Sequence, residues 1–314
     1  MRVVFMGSPE FAVPTLRALA SAHEVVLVVS QPDKPAGRGA QLTAPAVKVA
    51  AQALGLPIIQ PASAKTGELA RALAESGAEL AIVVAYGKIL PRAVLEALPR
   101  GCLNVHGSLL PKYRGAAPVQ WAVIDGEPRT GISIMQLDEG MDTGPVLLER
   151  DVEIGLEETS GELLARLAPI GAEALIDALA RLAAGTLQAT PQDNAEASHA
   201  RMLTKADGAI DFALAPDLVA ARIRGVDPWP GARALLRGEV IKLFRARMTD
   251  GTAGQAPGTV LAIDSGGLHV ACRGGVAAIR EVQAPGRKRV TAAQFAAGRG
   301  VEVGDKLNKP PETP

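Results

Sequence analysis

The run Leu80-Ala-Ile-Val-Val-Ala-Tyr86 has no charge anywhere and no polar side-chain atom before its last residue. A strand that is apolar at every position has both faces covered, as in the middle of a sheet with helices on each side. The segments around it fit that architecture. Arg2–Met6, Glu24–Val29, Pro57–Ile59, Cys102–His106, Ile132–Asp138 and Val146–Ile154 read as further strands. Helical spacing separates them: a turn at Gly7-Ser8-Pro9 leads into a helix carrying Phe11 and Leu16, followed by Ala46–Leu54, Gly67–Glu75, a start at Pro91, and Ala117–Asp125. Thr159-Ser-Gly-Glu162 is a capping-box pattern that opens a long helix reaching about Ala184. Repeated strand–helix units predict a Rossmann-like α/β domain over residues 1–188, with a mostly parallel sheet.

Residues 189–208 are polar and contain proline, so they read as a linker. Beyond them come a short helix, Pro216–Arg224, and five short strands: Ala232–Leu236, Glu239–Ala246, Thr259–Ile263, Leu268–Cys272 and Ala277–Val282. Strands of this length at this spacing predict a small barrel over residues 209–314. The net charge of the chain is zero, but residues 222–289 hold 12 basic and 5 acidic side chains, so the second half can meet phosphates. The turn Gly7-Ser-Pro-Glu-Phe11 lacks the G-x-G-x-x-G spacing of a dinucleotide site, and no phosphate-binding G-x-x-x-x-G-K-[ST] loop is present. Cys102 and Cys272 are too few and too far apart for a disulfide framework or a zinc site, and the four histidines have no metal-ligand spacing. No metal is expected. No apolar run reaches membrane-spanning length, so a soluble cytoplasmic protein is expected, and separately a monomer.

The chemistry concentrates in Cys102-Leu-Asn-Val-His-Gly-Ser-Leu-Leu-Pro111 and Leu137-Asp-Glu-Gly-Met-Asp-Thr-Gly-Pro145. Side chains alternate along a strand, so Asn104 and His106 share a face and Val105 takes the other. An amide donor beside an imidazole suits a carbonyl carbon under attack: the amide holds the developing oxyanion, and the imidazole donates to it or moves a proton. The carboxylate of Asp142 would orient the ring and stabilise its cationic form.

Residues 104–118, Asn-Val-His-Gly-Ser-Leu-Leu-Pro-Lys-Tyr-Arg-Gly-Ala-Ala-Pro, resemble the signature of the 10-formyltetrahydrofolate-dependent formyltransferases. Asp227-Pro-Trp-Pro-Gly231 and Pro257-Gly-Thr-Val260 match signatures of the same family, so the likeness runs nearly end to end. The resemblance implies an OB-like C-terminal barrel. It also implies a catalytic trio of Asn104, His106 and Asp142, with folate binding by Ser108, Leu109, Leu110 and Pro111 and by Val84, Ala85, Tyr86 and Gly87. Ser30-Gln-Pro-Asp-Lys-Pro-Ala-Gly-Arg-Gly39 is similar to the loop that members acting on methionyl-tRNA insert toward the acceptor stem. In that loop Lys34 and Arg38 would serve phosphates, with prolines limiting backbone freedom and glycines allowing close approach. Leu203–Phe212 resembles the family's segment after the linker and puts Lys205 near the substrate, although Lys205 could equally pair with Asp207 or Asp211. The basic turn Arg287-Lys288-Arg289 is expected to be a further tRNA contact. The implied reaction is formylation of the α-amine of initiator methionyl-tRNA. The rival readings are a sugar-nucleotide amine formyltransferase and a non-catalytic tRNA-binding protein on the same fold.

Overall fold

The computed structural model describes residues 1–36 and 41–311. In chain order the elements up to residue 200 are β1 (Arg2–Gly7), α1 (Val13–Ala22), β2 (Glu24–Val29), the hairpin β3 (Lys34–Ala36) and β4 (Gln41–Thr43), α2 (Ala46–Ala53), β5 (Ile58–Ile59), α3 (Glu68–Glu75) and β6 (Leu80–Val84). They continue with α4 (Arg92–Leu95), β7 (Cys102–His106), the two-residue β8 (Arg114–Gly115), α5 (Pro118–Ile124), β9 (Arg129–Gln136), β10 (Val146–Glu153), α6 (Ser160–Ala183) and β11 (His199–Ala200).

A seven-stranded sheet runs in the order β10-β9-β7-β6-β1-β2-β5. The pairs β2–β5, β1–β2, β1–β6 and β6–β7 are parallel, and β9 is antiparallel to β7. The chain walks outward from β1 through β2 to β5, then returns to place β6 on the other side of β1. Open α/β sheets form their ligand crevice at such a reversal, outside the carboxyl ends of the strands. Gly7 and Val84 stand at those ends. As expected for a doubly covered strand, β6 is buried at every position. One face of the sheet packs Val4, Met6, Ala81, Val83 and Cys102 against Leu69 and Leu73 of α3 and Val94 of α4. The spacing of Leu69 and Leu73 stacks them on one helical face.

Contacts divide the chain into two compact units that do not follow the expected boundaries. The first comprises residues 1–118, 130–152 and 164–200; the second comprises 119–129, 153–163 and 201–314. Residues 189–200, read as linker, therefore belong to the first unit, where β11 pairs in parallel with β8. The stretch around α5, expected within the first domain, clusters with the second. There α7 (Pro216–Gly225) approaches α5 so closely that a Cβ on Gly225 would lie 2.4 Å from Ile124.

The second unit holds α7, β12 (Ala232–Leu236), β13 (Glu239–Thr249), β14 (Val260–Asp264), β15 (Gly267–Cys272), β16 (Gly275–Gln283), β17 (Val290–Thr291), α8 (Ala292–Ala297) and β18 (Leu307–Asn308). The sheet order is β14-β15-β16-β13-β12-β18. Thr259 and Lys306 form an antiparallel bridge, with Val260 N donating to Asp305 O and Leu307 N to Gly258 O, each at 2.8 Å. That seam joins the first and last strands of the order and closes the barrel, which removes the exposed edges. The expected strands are present. Two-residue β18, which completes the ring, has too few positions to show periodicity. Among the described residues no helix is long and apolar enough to cross a membrane.

The seam depends on Gly258. Its φ is +89°, and a Cβ there would lie 2.2 Å from the Leu307 carbonyl oxygen. Gly274 has a similar φ of +80° but open space around it. Gly274→Ala should cost about 1–2 kcal/mol, the left-handed penalty for a residue with a Cβ. Gly258→Ala should cost clearly more, because the backbone clash adds to it. Thermal unfolding of the two variants side by side checks this; equal shifts would contradict it.

Candidate active site

Strand alternation puts Cys102, Asn104 and His106 on one face of β7. Cys102 still lies in the core, where burial pushes its thiol up to about 12 and leaves it inert. Val105 points the other way, toward Gly171 of α6. Asn104 and His106 are both nearly buried, at 9% and 5% exposed. Among the described residues the Asn104 carboxamide has no hydrogen-bond partner, so its donors are open to a ligand.

His106 is fixed from one side. Its Nε2 lies 2.9 Å from the Tyr113 carbonyl. A carbonyl only accepts, so Nε2 carries the proton there and Nδ1 is the nitrogen left for chemistry. Nδ1 faces Asp142 Oδ2 at 3.7 Å. The same Oδ2 accepts from the Gly115 amide at 2.8 Å. The carboxylate thus stands beside the ring, but the Tyr113 carbonyl, not Asp142, is what hydrogen-bonds and orients it.

Three non-glycine residues around this point have left-handed backbones: Ala85 (φ 47°), Tyr113 (φ 60°) and Asp142 (φ 54°). Such residues persist where surrounding contacts over-determine them, and they gather at functional sites. The loop carrying Asp142 is braced internally, since Asp138 accepts from Gly140 N at 3.0 Å and from Thr143 Oγ1 at 2.8 Å. Arg92 at the start of α4 reaches Glu139 of this loop at 3.7 Å. That pair links the segment after β6 to the loop after β9.

The residues expected to bind folate divide. Val84 ends β6, and the turn through Ala85 and Gly87 (φ 78°) is exposed. The turn at Ala85 sends the Tyr86 ring back into the core, 1% exposed, and its hydroxyl has no hydrogen-bond partner among the described residues. Only its carbonyl faces outward, and that accepts from Gln31 Nε2 at 2.9 Å. Ser108, Leu109, Leu110 and Pro111 form a hydrogen-bonded turn. Ser108 Oγ donates to Lys112 O at 2.7 Å, and Ser133 Oγ donates to Ser108 O at 2.8 Å while accepting from Leu110 N. Their polar groups are spent on carrying the chain from His106 to Tyr113 and Gly115. Leu109 packs over Gly131 of β9.

Of the expected tRNA contacts, Lys34 is exposed on β3, and Arg38 lies outside the described residues. Lys88, near Lys34, has its pKa lowered first by burial and then by that neighbour. Lys205 pairs with neither Asp207 nor Asp211. Asp207 is taken by Arg201, with Oδ2 2.8 Å from Nη1, and by Thr204 N at 2.7 Å. In the basic turn, Arg287 and Lys288 are exposed. Arg289 is already engaged: it pairs with Glu281 and stacks on Phe244, 4.0 Å from the ring centroid. Among the described residues no group of three or more His, Cys, Asp or Glu side chains could hold a metal.

The family described as "Formyl transferase" matches residues 1–179, and "Formyl transferase, C-terminal domain" matches residues 202–300. The chain belongs to the formyl transferase family. A methionyl-tRNA formyltransferase of Thiobacillus denitrificans (strain ATCC 25259 / T1) is 48% identical over 310 residues, 98% of this chain and 99% of that protein. One of Sorangium cellulosum (strain So ce56) is 46% identical over 311 residues, 98% of this chain and all of that protein. Among solved structures, the sugar 3N-formyl transferase WlaRD, in the presence of dTDP and 5-N-formyl-THF, matches with a TM-score of 0.68 at 15% identity, covering 92% of this chain and 99% of that one. HypX from Aquifex aeolicus in complex with tetrahydrofolic acid matches with a TM-score of 0.63 at 18% identity, covering all of this chain and 49% of that one. At those identities the likeness is one of fold.

In this formyl transferase Asp207 is 6% exposed, and its hydrogen bonds from Arg201, then Thr204, hold its pKa at about 2 against an ordinary 3.8, with burial opposing. A carboxylate depressed on folding stabilises above its unfolded pKa, and that stabilisation is lost as pH falls through the folded value. Asp207→Asn should therefore cost about 2 kcal/mol near neutral pH. The gap to wild type should close as pH falls from 3.8 toward about 2. Urea unfolding across that range checks it; a gap that does not change with pH would refute it.

Proposed function

We propose that this formyl transferase moves the formyl group of 10-formyltetrahydrofolate to the α-amino group of initiator methionyl-tRNA. The observation that carries the chemistry is the juxtaposition of an Asn104 amide with no partner among the described residues, a His106 ring with only Nδ1 free, and the Asp142 carboxylate 3.7 Å from that nitrogen. The choice of acceptor follows the full-length relatives at 46–48% identity and the loop bearing Lys34 and Arg38.

The attacking amine must be neutral, and a free α-amine titrates near ~8, so a useful fraction is ready at physiological pH. Its nitrogen bonds to the formyl carbon as the bond from that carbon to N10 breaks. Asn104 donates to the formyl oxygen as negative charge develops there, and His106 supplies a second donor once its Nδ1 has received a proton from Asp142. Asp142 takes the amine's proton, directly or through one water, and passes it to His106 Nδ1, which delivers it to N10 as the bond to the formyl carbon breaks. The folate occupies the crevice between the Val84–Gly87 turn and the loop carrying Asp142. Apolar walls there pack the pterin, and backbone groups read its edge.

His106→Ala and Asp142→Asn should each lower kcat by about 10²–10³-fold with little change in KM for methionyl-tRNA, because both groups act on the transition state. Steady-state assays with methionyl-tRNA and, separately, an amino-sugar nucleotide test chemistry and acceptor together. A kcat close to wild type for either variant removes the trio, and turnover of the sugar nucleotide alone removes the tRNA reading.

The second unit is proposed to hold the tRNA. Replacing Arg287 and Lys288 by Glu should flatten the dependence of log K on log salt by about 0.7–0.9 per lost phosphate contact. Arg289 is left intact because its pair and stack belong to the fold. Filter binding over a salt series reads the slope, and an unchanged slope places this turn away from the tRNA.

A further inference from the structure

We infer that Gln192 is a positioning residue for Asp142, anchored by the buried guanidinium of Arg114. The inference rests on the assignment of Asp142 to the reaction. Gln192 Nε2 donates to the backbone carbonyl of Asp142 at 2.8 Å and to that of Gly144 at 2.6 Å. Its Oε1 accepts from Arg114 Nε at 3.0 Å and from Nη2 at 2.8 Å. A guanidinium can only donate, so the amide has one possible orientation: oxygen toward Arg114, NH2 toward the two carbonyls. Arg114 is 4% exposed, and its Nη2 also donates to Asn194 Oδ1 at 2.9 Å.

The grip acts where it is needed. Asp142 has a φ of 54°, a left-handed conformation that a residue with a Cβ leaves unless contacts hold it there. Gln192 holds the backbone on either side of the strained position. The Gly115 amide holds the carboxylate itself. Both anchors come from β8, the two-residue strand Arg114–Gly115: one residue gives its backbone to the carboxylate, the other its side chain to Gln192. Gln192 touches no reacting atom in this arrangement. Without it the carboxylate can swing away from His106 Nδ1, and a misplacement of about 1 Å at a reacting group can cost 10²-fold in rate.

Two variants separate the parts of the grip. Gln192→Glu keeps an oxygen for Arg114 but turns acceptor against acceptor at the two carbonyls; Gln192→Met removes both ends at similar length. Each is measured for kcat, KM for 10-formyltetrahydrofolate, the pH profile of kcat and the melting temperature, alone and combined with Asp142→Asn. Both should lose about 10- to 100-fold in kcat with KM nearly unchanged. The pH profile should move, because the carboxylate facing His106 has moved. In the Asp142→Asn background neither should lower kcat further, since residues acting through one group are not additive. Wild-type kcat in both variants, or a full additional loss in the Asp142→Asn background, would overturn the inference. Wild-type kcat for Asp142→Asn by itself would overturn the assignment of the site, and this inference with it. Should Gln192→Glu melt early, Gln192→Met carries the same comparison.

Discussion

The pairing of β8 with β11 holds the candidate active site in shape. Arg114 N donates to Ser198 O at 2.8 Å, Ala116 N to Ala200 O at 2.9 Å, and Tyr113 N to Ser198 Oγ at 2.9 Å. These bonds fix residues 113–117, and that short stretch supplies the carbonyl that orients His106, the amide that holds the Asp142 carboxylate, and the guanidinium that locks Gln192. The approach leaves no room for a side chain: Gly115 has a φ of +121°, and a Cβ there would meet the Ala200 carbonyl oxygen at 2.7 Å. The glycine in Lys112-Tyr-Arg-Gly115 is thus explained by contact distance.

The basic excess of residues 222–289 is smaller in effect than in composition. Arg237 pairs with Asp305, Arg245 with Glu162, Arg280 with Glu157, and Arg289 with Glu281. Glu162 is drawn down to about 2 mainly by the Thr159 backbone and Arg245. These pairs tie strands of the barrel to the 153–163 segment and to one another. Lys242, Arg273, Arg287 and Lys288 have no carboxylate partner among the described residues and are exposed. A polyanion meets this smaller set first, since an engaged arginine must give up an existing partner to bind a phosphate.

Much of this was legible in the sequence, for identifiable reasons. The continuous apolar run at residues 80–84 announced a doubly covered strand, and period-two alternation placed Asn104 and His106 on one face. Asp142 could be singled out only through the resemblance, because nothing local marks it from Asp138 in the same loop. Other features depend on partners distant in sequence. Gln192 sits in a polar stretch of linker composition, and its role exists only through Arg114, 78 residues away. The inward turn of Tyr86 follows from a left-handed alanine, which sequence does not advertise. The engagement of Arg289 requires Glu281 and Phe244 on neighbouring strands. The barrel seam closes through a strand of two residues.

What these hidden features share is cost. Ala85, Tyr113 and Asp142 each hold a backbone conformation that a residue with a Cβ avoids, and Arg114 buries a cation with amide oxygens as partners and no carboxylate within ion-pair distance among the described residues. A segment selected only for stability would replace such features with relaxed turns and apolar packing. They persist together on the few residues that surround His106 Nδ1. The sheet beneath them, apolar and paired on both sides, is where the compensating stability resides. Strain at the carboxyl ends of the strands and relaxation in their interiors are therefore one arrangement, in which the rigid sheet sets positions that the loops alone could not hold.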